Sequence, residues 1–196
     1  MTTLGSRIKI KVAAAVAAVI ATSLVWSGGT FSTFNKTSSM PSNSVTAGTV
    51  VLTDNDSGTA TLSASGLMPG GSTSTACEQV SYTGTAAATV RFWGSVGGTG
   101  LAPYLNLKIT RGTFSGTPAA GSCTGFTADA SGSVLFNSTL DTFPTSAGTA
   151  IADPASSWNS GDKLGYKIEL NVPSNAASSG QGLTATFSMT WQAVST

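Results

Sequence analysis

Few residue groupings in this chain could do chemistry. Asp54-Asn55-Asp56-Ser57-Gly58 places two carboxylates and a carboxamide within three residues, the donor type a hard cation such as calcium prefers. A helix-flanked calcium loop would put its glycine one position later and a glutamate at its twelfth residue. Here the glycine is already fifth and Ser65 is twelfth, so the segment reads first as a turn in which Asp and Asn accept left-handed backbone, with calcium as the alternative. Ser160-Gly161-Asp162-Lys163 has the Ser-x-x-Lys spacing of some acyl enzymes, which need a helix to bring the amine to the hydroxyl. With Asn159, Gly161 and Asp162 around it, this one reads as a turn entering a strand. Asp129, Asp141, Asp153, Asp162 and Glu169 are scattered and read as solvated loop charges. The chain has no histidine, which removes the Ser/His/Asp and Cys/His nucleophile systems and the HExxH zinc site. No catalytic residue, metal ligand or cofactor is expected, and the protein is expected not to be an enzyme.

Those residues must be held by strands. Ser, Thr and Gly number 29, 30 and 23 of the 196 residues and only 9% are charged, a composition that disfavours a helical bundle. The N-terminus has another purpose. Arg7, Lys9 and Lys11 precede an apolar run from Val12 to Trp26, too short for a comfortable membrane span and typical of a secretory signal. Residues 1–32 are read as a signal peptide forming a helix, cut by a signal peptidase between Ser32 and Thr33. The C-terminal residues resemble no sorting signal, so no permanent membrane anchor is expected and the protein should be secreted. From Thr33 onward six basic residues face eight acidic ones, a net charge of −2 that offers no surface to nucleic acid.

Cys77 and Cys123, an even pair in an oxidising compartment, are expected to form a disulfide. Two alternating stretches stand out: Leu183, Ala185, Phe187, Met189, Trp191 and Ala193, and Leu164, Tyr166, Ile168, Leu170 and Val172, each interleaved with polar residues. They are expected as neighbouring strands. Shorter strands are expected at Thr49–Thr53, Thr59–Ser63, Glu78–Tyr82, Ala87–Trp93, Tyr104–Arg111 and Gly132–Asn137, with a helical turn allowed only in Thr139–Trp158. About eight strands separated by turn residues imply an all-β domain over residues 48–196, a two-sheet antiparallel sandwich of jelly-roll type. Trp93, Trp158 and Trp191 read as core, with a sugar-stacking platform as the alternative. Sequons at Asn35, Asn55 and Asn137 arise readily by chance in so Ser/Thr-rich a chain.

Residues 33–47, TFNKTSSMPSNSVTA, fit neither part. They read as an extended leader, either a flexible spacer or a strand that can add to an exposed sheet edge through Phe34, Met40 and Val45. Here a resemblance enters. Leu24-Val25-Trp26-Ser27-Gly28-Gly29-Thr30-Phe31-Ser32-Thr33-Phe34-Asn35 resembles the signal-peptide end of the TasA/camelysin family, which is processed by the SipW type of signal peptidase. Ala47-Gly48-Thr49-Val50-Val51-Leu52 and Leu67-Met68-Pro69-Gly70-Gly71 are similar to that family's first strand and following turn. The resemblance implies a jelly-roll subunit of extracellular biofilm-matrix or pilus-like filaments, in which the leader of one copy completes the sheet of the next. The partners so implied are further copies of the chain and accessory matrix subunits. The rival expectation is a monomeric secreted carbohydrate-binding or cell-surface adhesion module.

Overall fold

The computed structural model describes residues 48–56, 62 and 64–196. The expected signal peptide 1–32, its cleavage at Ser32 and Thr33, the leader 33–47 with Phe34, Met40 and Val45, and most of the expected strand Thr59–Ser63 lie outside the described residues. Gly48–Thr196 forms one unit built from nine strands. They are β1 (Leu52–Asp54), β2 (Ser74–Tyr82), β3 (Ala88–Gly98), β4 (Asn106–Phe114), β5 (Phe126–Ala128), β6 (Val134–Thr139), β7 (Ile151–Ala152), β8 (Lys163–Asn171) and β9 (Ala185–Ser195). Among the described residues no helix is long and apolar enough to cross a membrane.

The strands form two antiparallel sheets of unequal width. The larger runs β1-β2-β8-β4, and the far side of β4 carries β6 along one half and β5 along the other, with a register shift between Ile109 and Thr110. The smaller runs β7-β3-β9. Alternation sends Val80, Tyr82, Leu107, Ile109 and Ile168 from the larger sheet and Val90 and Phe92 from the smaller into one core. Trp158 is fully buried among them.

The two strongly alternating stretches are both strands, but they are not neighbours. β8 sits between β2 and β4, and among the described residues β9 pairs only with β3, in the other sheet. Residues 172–184 carry the chain from one layer to the other, so the apolar faces of β8 and β9 meet across the core. Tyr166 and Trp191 make that contact, with ring centroids 4.2 Å apart. A period of two identifies the buried face of a strand and leaves its hydrogen-bonding partner open. The helical turn lies where it was expected, at Leu140–Thr142, but two more occur at Ala102–Tyr104 and Ser178–Gly180. β5 and β7 were not expected at all.

Two devices tie the sandwich together. Cys77 and Cys123 form the expected disulfide, which fastens the loop after β4 to the outer face of β2, where Cys77 N also donates to Gly121 O at 3.2 Å. The second device overturns the reading of Asp153 and Asp129 as solvated loop charges. Asp153 is buried just after β7 and accepts from Tyr166 Oη at 2.7 Å, Arg111 Nε at 2.9 Å, Trp158 Nε1 at 3.2 Å and Ala155 N at 2.9 Å. Arg111 extends the network by an ion pair with Asp129. Burial works against the Arg111 charge, but Asp153 and then Asp129 outweigh it and hold the guanidinium firmly protonated. Burial, then Asp153, pushes the Tyr166 hydroxyl up, so it stays a donor at any ordinary pH.

A buried charge with every acceptor site engaged is costly to lose. Asp153→Asn keeps the shape and removes the charge facing Arg111, and should destabilise the fold by about 3 kcal/mol in denaturant unfolding. A loss below about 0.5 kcal/mol would show that the network is not a principal tie between the sheets.

Candidate functional site

The two flanks of the sandwich differ. On one, β7, Asp153 and the Arg111 network join the sheets. On the other, β1 is the edge of the larger sheet and β9 the edge of the smaller, and among the described residues no strand lies beyond either. β1 is only three residues long, a short edge of the kind that resists further pairing. β9 is eleven residues long and straight in register against β3 from Ala185 to Ser195.

The hydrogen-bonding parity of β9 follows from β3. Ala88 and Val90 bond away from β9, to Trp158 and Asp153, and Gly94 N donates to Pro144 O. Thr89, Arg91, Trp93, Ser95 and Gly97 therefore bond toward β9, to Val194, Gln192, Thr190, Ser188 and Thr186. That leaves the N–H and C=O groups of Ala185, Phe187, Met189, Trp191 and Ala193 directed at the open edge. These are also the residues whose side chains face the core, and all five are only half-buried. Phe187 packs on Phe143, and Trp191 on Phe92 and Tyr166, each from one side. The flank is an apolar seam with a row of backbone donors and acceptors along its rim.

Three carboxyl groups lie beside this seam. Asp54 ends β1 opposite Val80, Asp56 follows it, and Glu78 lies on the core-facing side of β2. Their oxygens lie within 4.8 Å of one another. Between the two aspartates Asn55 turns the other way: its Oδ1 accepts from Gln79 N at 2.8 Å and fixes the bend. Glu78 is 5% exposed, and burial, then Asp56, then Asp54, push its carboxyl up to about 7. The Trp191 indole N–H acts the other way on it, yet stops short of hydrogen-bond geometry and stays buried without an acceptor. Such a set of oxygens can hold a proton at neutral pH, receive a cationic side chain or serve a hard cation. Asp54 and Asp56 were legible in sequence, but Glu78 was missed, because only the β1–β2 pairing brings it to them.

The other sequence candidates do not converge. Asn159 and Asp162 close a turn through Asn159 N to Asp162 Oδ2 at 2.7 Å and Asp162 N to Asn159 O at 3.0 Å, which accounts for the Ser160–Lys163 spacing. The three tryptophans make no platform: Trp158 is buried, Trp191 faces the core, and Trp93 lies on the opposite face of the smaller sheet. The chain matches no family profile and no curated protein.

Glu78 gives the site a pH signature. Its folded pKa of about 7 lies above the ordinary 4.5, so its contribution to stability is complete below pH 4.5 and is lost as pH rises through 7. Glu78→Gln should flatten that part of the stability profile and stabilise the fold at pH 8 by about 3 kcal/mol. Parallel profiles for the two proteins between pH 4.5 and 8 would show that Glu78 titrates normally.

Proposed function

We propose that this protein is a secreted structural subunit, not an enzyme, that polymerises by donor-strand complementation into extracellular filaments of the biofilm-matrix or pilus kind. The observation that carries the reading is the eleven-residue β9, whose outward N–H and C=O groups belong to the same residues whose side chains leave the core half open. A long, straight, apolar edge is a liability in a monomer and a docking surface in an assembly. One added strand meets both needs at once, pairing the rim and covering Phe187, Met189 and Trp191.

The candidate donor is residues 33–47, a role implied by the resemblance to the TasA/camelysin family that residues 24–35, 47–52 and 67–71 carry. The signal-like segment 1–32 and the Cys77–Cys123 bridge support export to an oxidising compartment. Donation from one copy to the next uses two different surfaces, a heterologous contact that grows into an open filament wherever the rotation between copies does not close a ring.

The test is negative-stain electron microscopy of the chain begun at Thr33 beside the same chain begun at Gly48, both checked for folding by circular dichroism. Filaments from the longer chain alone are expected. If both fold and neither polymerises across a range of pH and concentration, homopolymerisation is wrong, and glycan binding becomes the next reading to measure.

A further inference from the structure

Residues 33–47 contain a proline, and a proline constrains how an added strand can lie. Pro41 has no N–H to give, so in a strand paired on one side only it must point away from its partner. Even-numbered leader residues then bond to β9. The β9 residues that bond outward are the odd-numbered, core-facing ones from Ala185 to Ala193. In an antiparallel ladder, bonded residues sit opposite each other and share a face. Phe34, Lys36, Ser38 and Met40 would then turn into the seam, and Val45 would turn out of it. In a parallel ladder, bonded residues face opposite sides, and Phe34 and Met40 would be left in water. The proline and the two large apolar side chains are therefore compatible only with the antiparallel direction.

Direction separates the copy that donates from the copy that receives. Gly48 packs against Ala86, and Thr196 N donates to Ala87 O, so the leader enters the domain at the end where β9 finishes. A leader laid in one piece on its own β9 would run parallel to it. Charge sets the register. Lys36 is the one charged residue of the leader, and the seam's carboxyl groups gather near Trp191, on β1 and β2 beneath the place where a strand beyond β9 would lie. Lys36 opposite Trp191 puts Met40 opposite Phe187 and Phe34 opposite Ala193.

We infer that residues 33–47 of a second copy lie antiparallel to β9 in this register, with Phe34 and Met40 in the seam and Lys36 beside Asp54, Asp56 and Glu78. This rests on the filament reading and specifies its contact. The register makes Thr37 and Thr190 an opposed, non-hydrogen-bonded pair on the solvent face, close enough for a disulfide. Full chains carrying only Thr37→Cys are mixed with chains carrying only Thr190→Cys, allowed to assemble and mildly oxidised. A disulfide-linked pair is expected on a non-reducing gel, at least tenfold above that formed when the second chain carries Ser188→Cys or Gln192→Cys. Lys36→Glu is expected to lower filament yield at least tenfold, and Asp54→Lys in the same chain to recover it.

The outcomes separate the inference from the reading beneath it. Filaments with the strongest link at Ser188 or Gln192 overturn the register. Filaments with no link at any of the three positions overturn the β9 contact. A link formed within single chains carrying both cysteines overturns the second copy as donor. If the unmodified chain never polymerises, the filament reading fails and takes the inference with it.

Discussion

Among the described residues β9 is paired on one side only, and the rest of the fold is arranged around that half-paired edge. Each backbone N–H and C=O brought near a core needs a partner, and a strand bonded on one side only leaves every second residue's pair exposed. Most edge strands soften this by being short, bulged or charged, and β1 does so by stopping after three residues. β9 uses none of these devices. Eleven residues stay in register with β3, without a charged side chain, and the exposed backbone belongs to the residues whose side chains are needed inside.

Holding such an edge open requires the rest of the sandwich to be firm. The opposite flank is closed by Asp153, which gathers Arg111, Tyr166 and Trp158 from separate parts of the chain onto one carboxylate. The disulfide pins the loop after β4 to β2, and Gly121 of that loop pairs with Cys77 along the β2 edge that also carries β1. The larger sheet is thus tied to the loop after β4 on one flank and to β7 through Asp153 on the other. Glu78 lies beside the seam. Its burial beside Asp54 and Asp56 raises its pKa, so ionising it above pH 7 costs the domain stability.

Much of the fold was legible because alternation is a local signal. β8 and β9 could be read almost to the residue from runs such as Phe187, Met189 and Trp191. Their placement in different sheets could not, since period two reports a face and the partner is set by the long connection over 172–184. β5 and β7, at three and two residues, are too short for any periodicity to register. Asp153 looked like a loop charge because nothing in its own neighbourhood announces Arg111 or Tyr166. The candidate site was half visible: Asp54 and Asp56 are close in sequence, and the β9 alternation is plain. That β9 is an edge, and that Glu78 lies beneath Trp191, are consequences of topology.

Under the proposed exchange, the geometry of the ends bears on whether donor-strand contacts would close into a swapped dimer. In the inferred register Ser42 would reach the start of β9 at Ala185, and residues 43–47, if extended, would continue past it at about 3.4 Å per residue. The donor's folded domain begins directly afterwards, at Gly48, on the end of its own sandwich where β9 finishes. The end of one domain would thereby come below the start of β9 in the next. Returning the acceptor's leader to the donor's β9 would require it to pass both domains, about 75 Å for two eleven-residue strands against the roughly 50 Å that fifteen extended residues reach. Stacking end to end would leave the terminal seam open at each step, so each added copy would recreate the site that it filled.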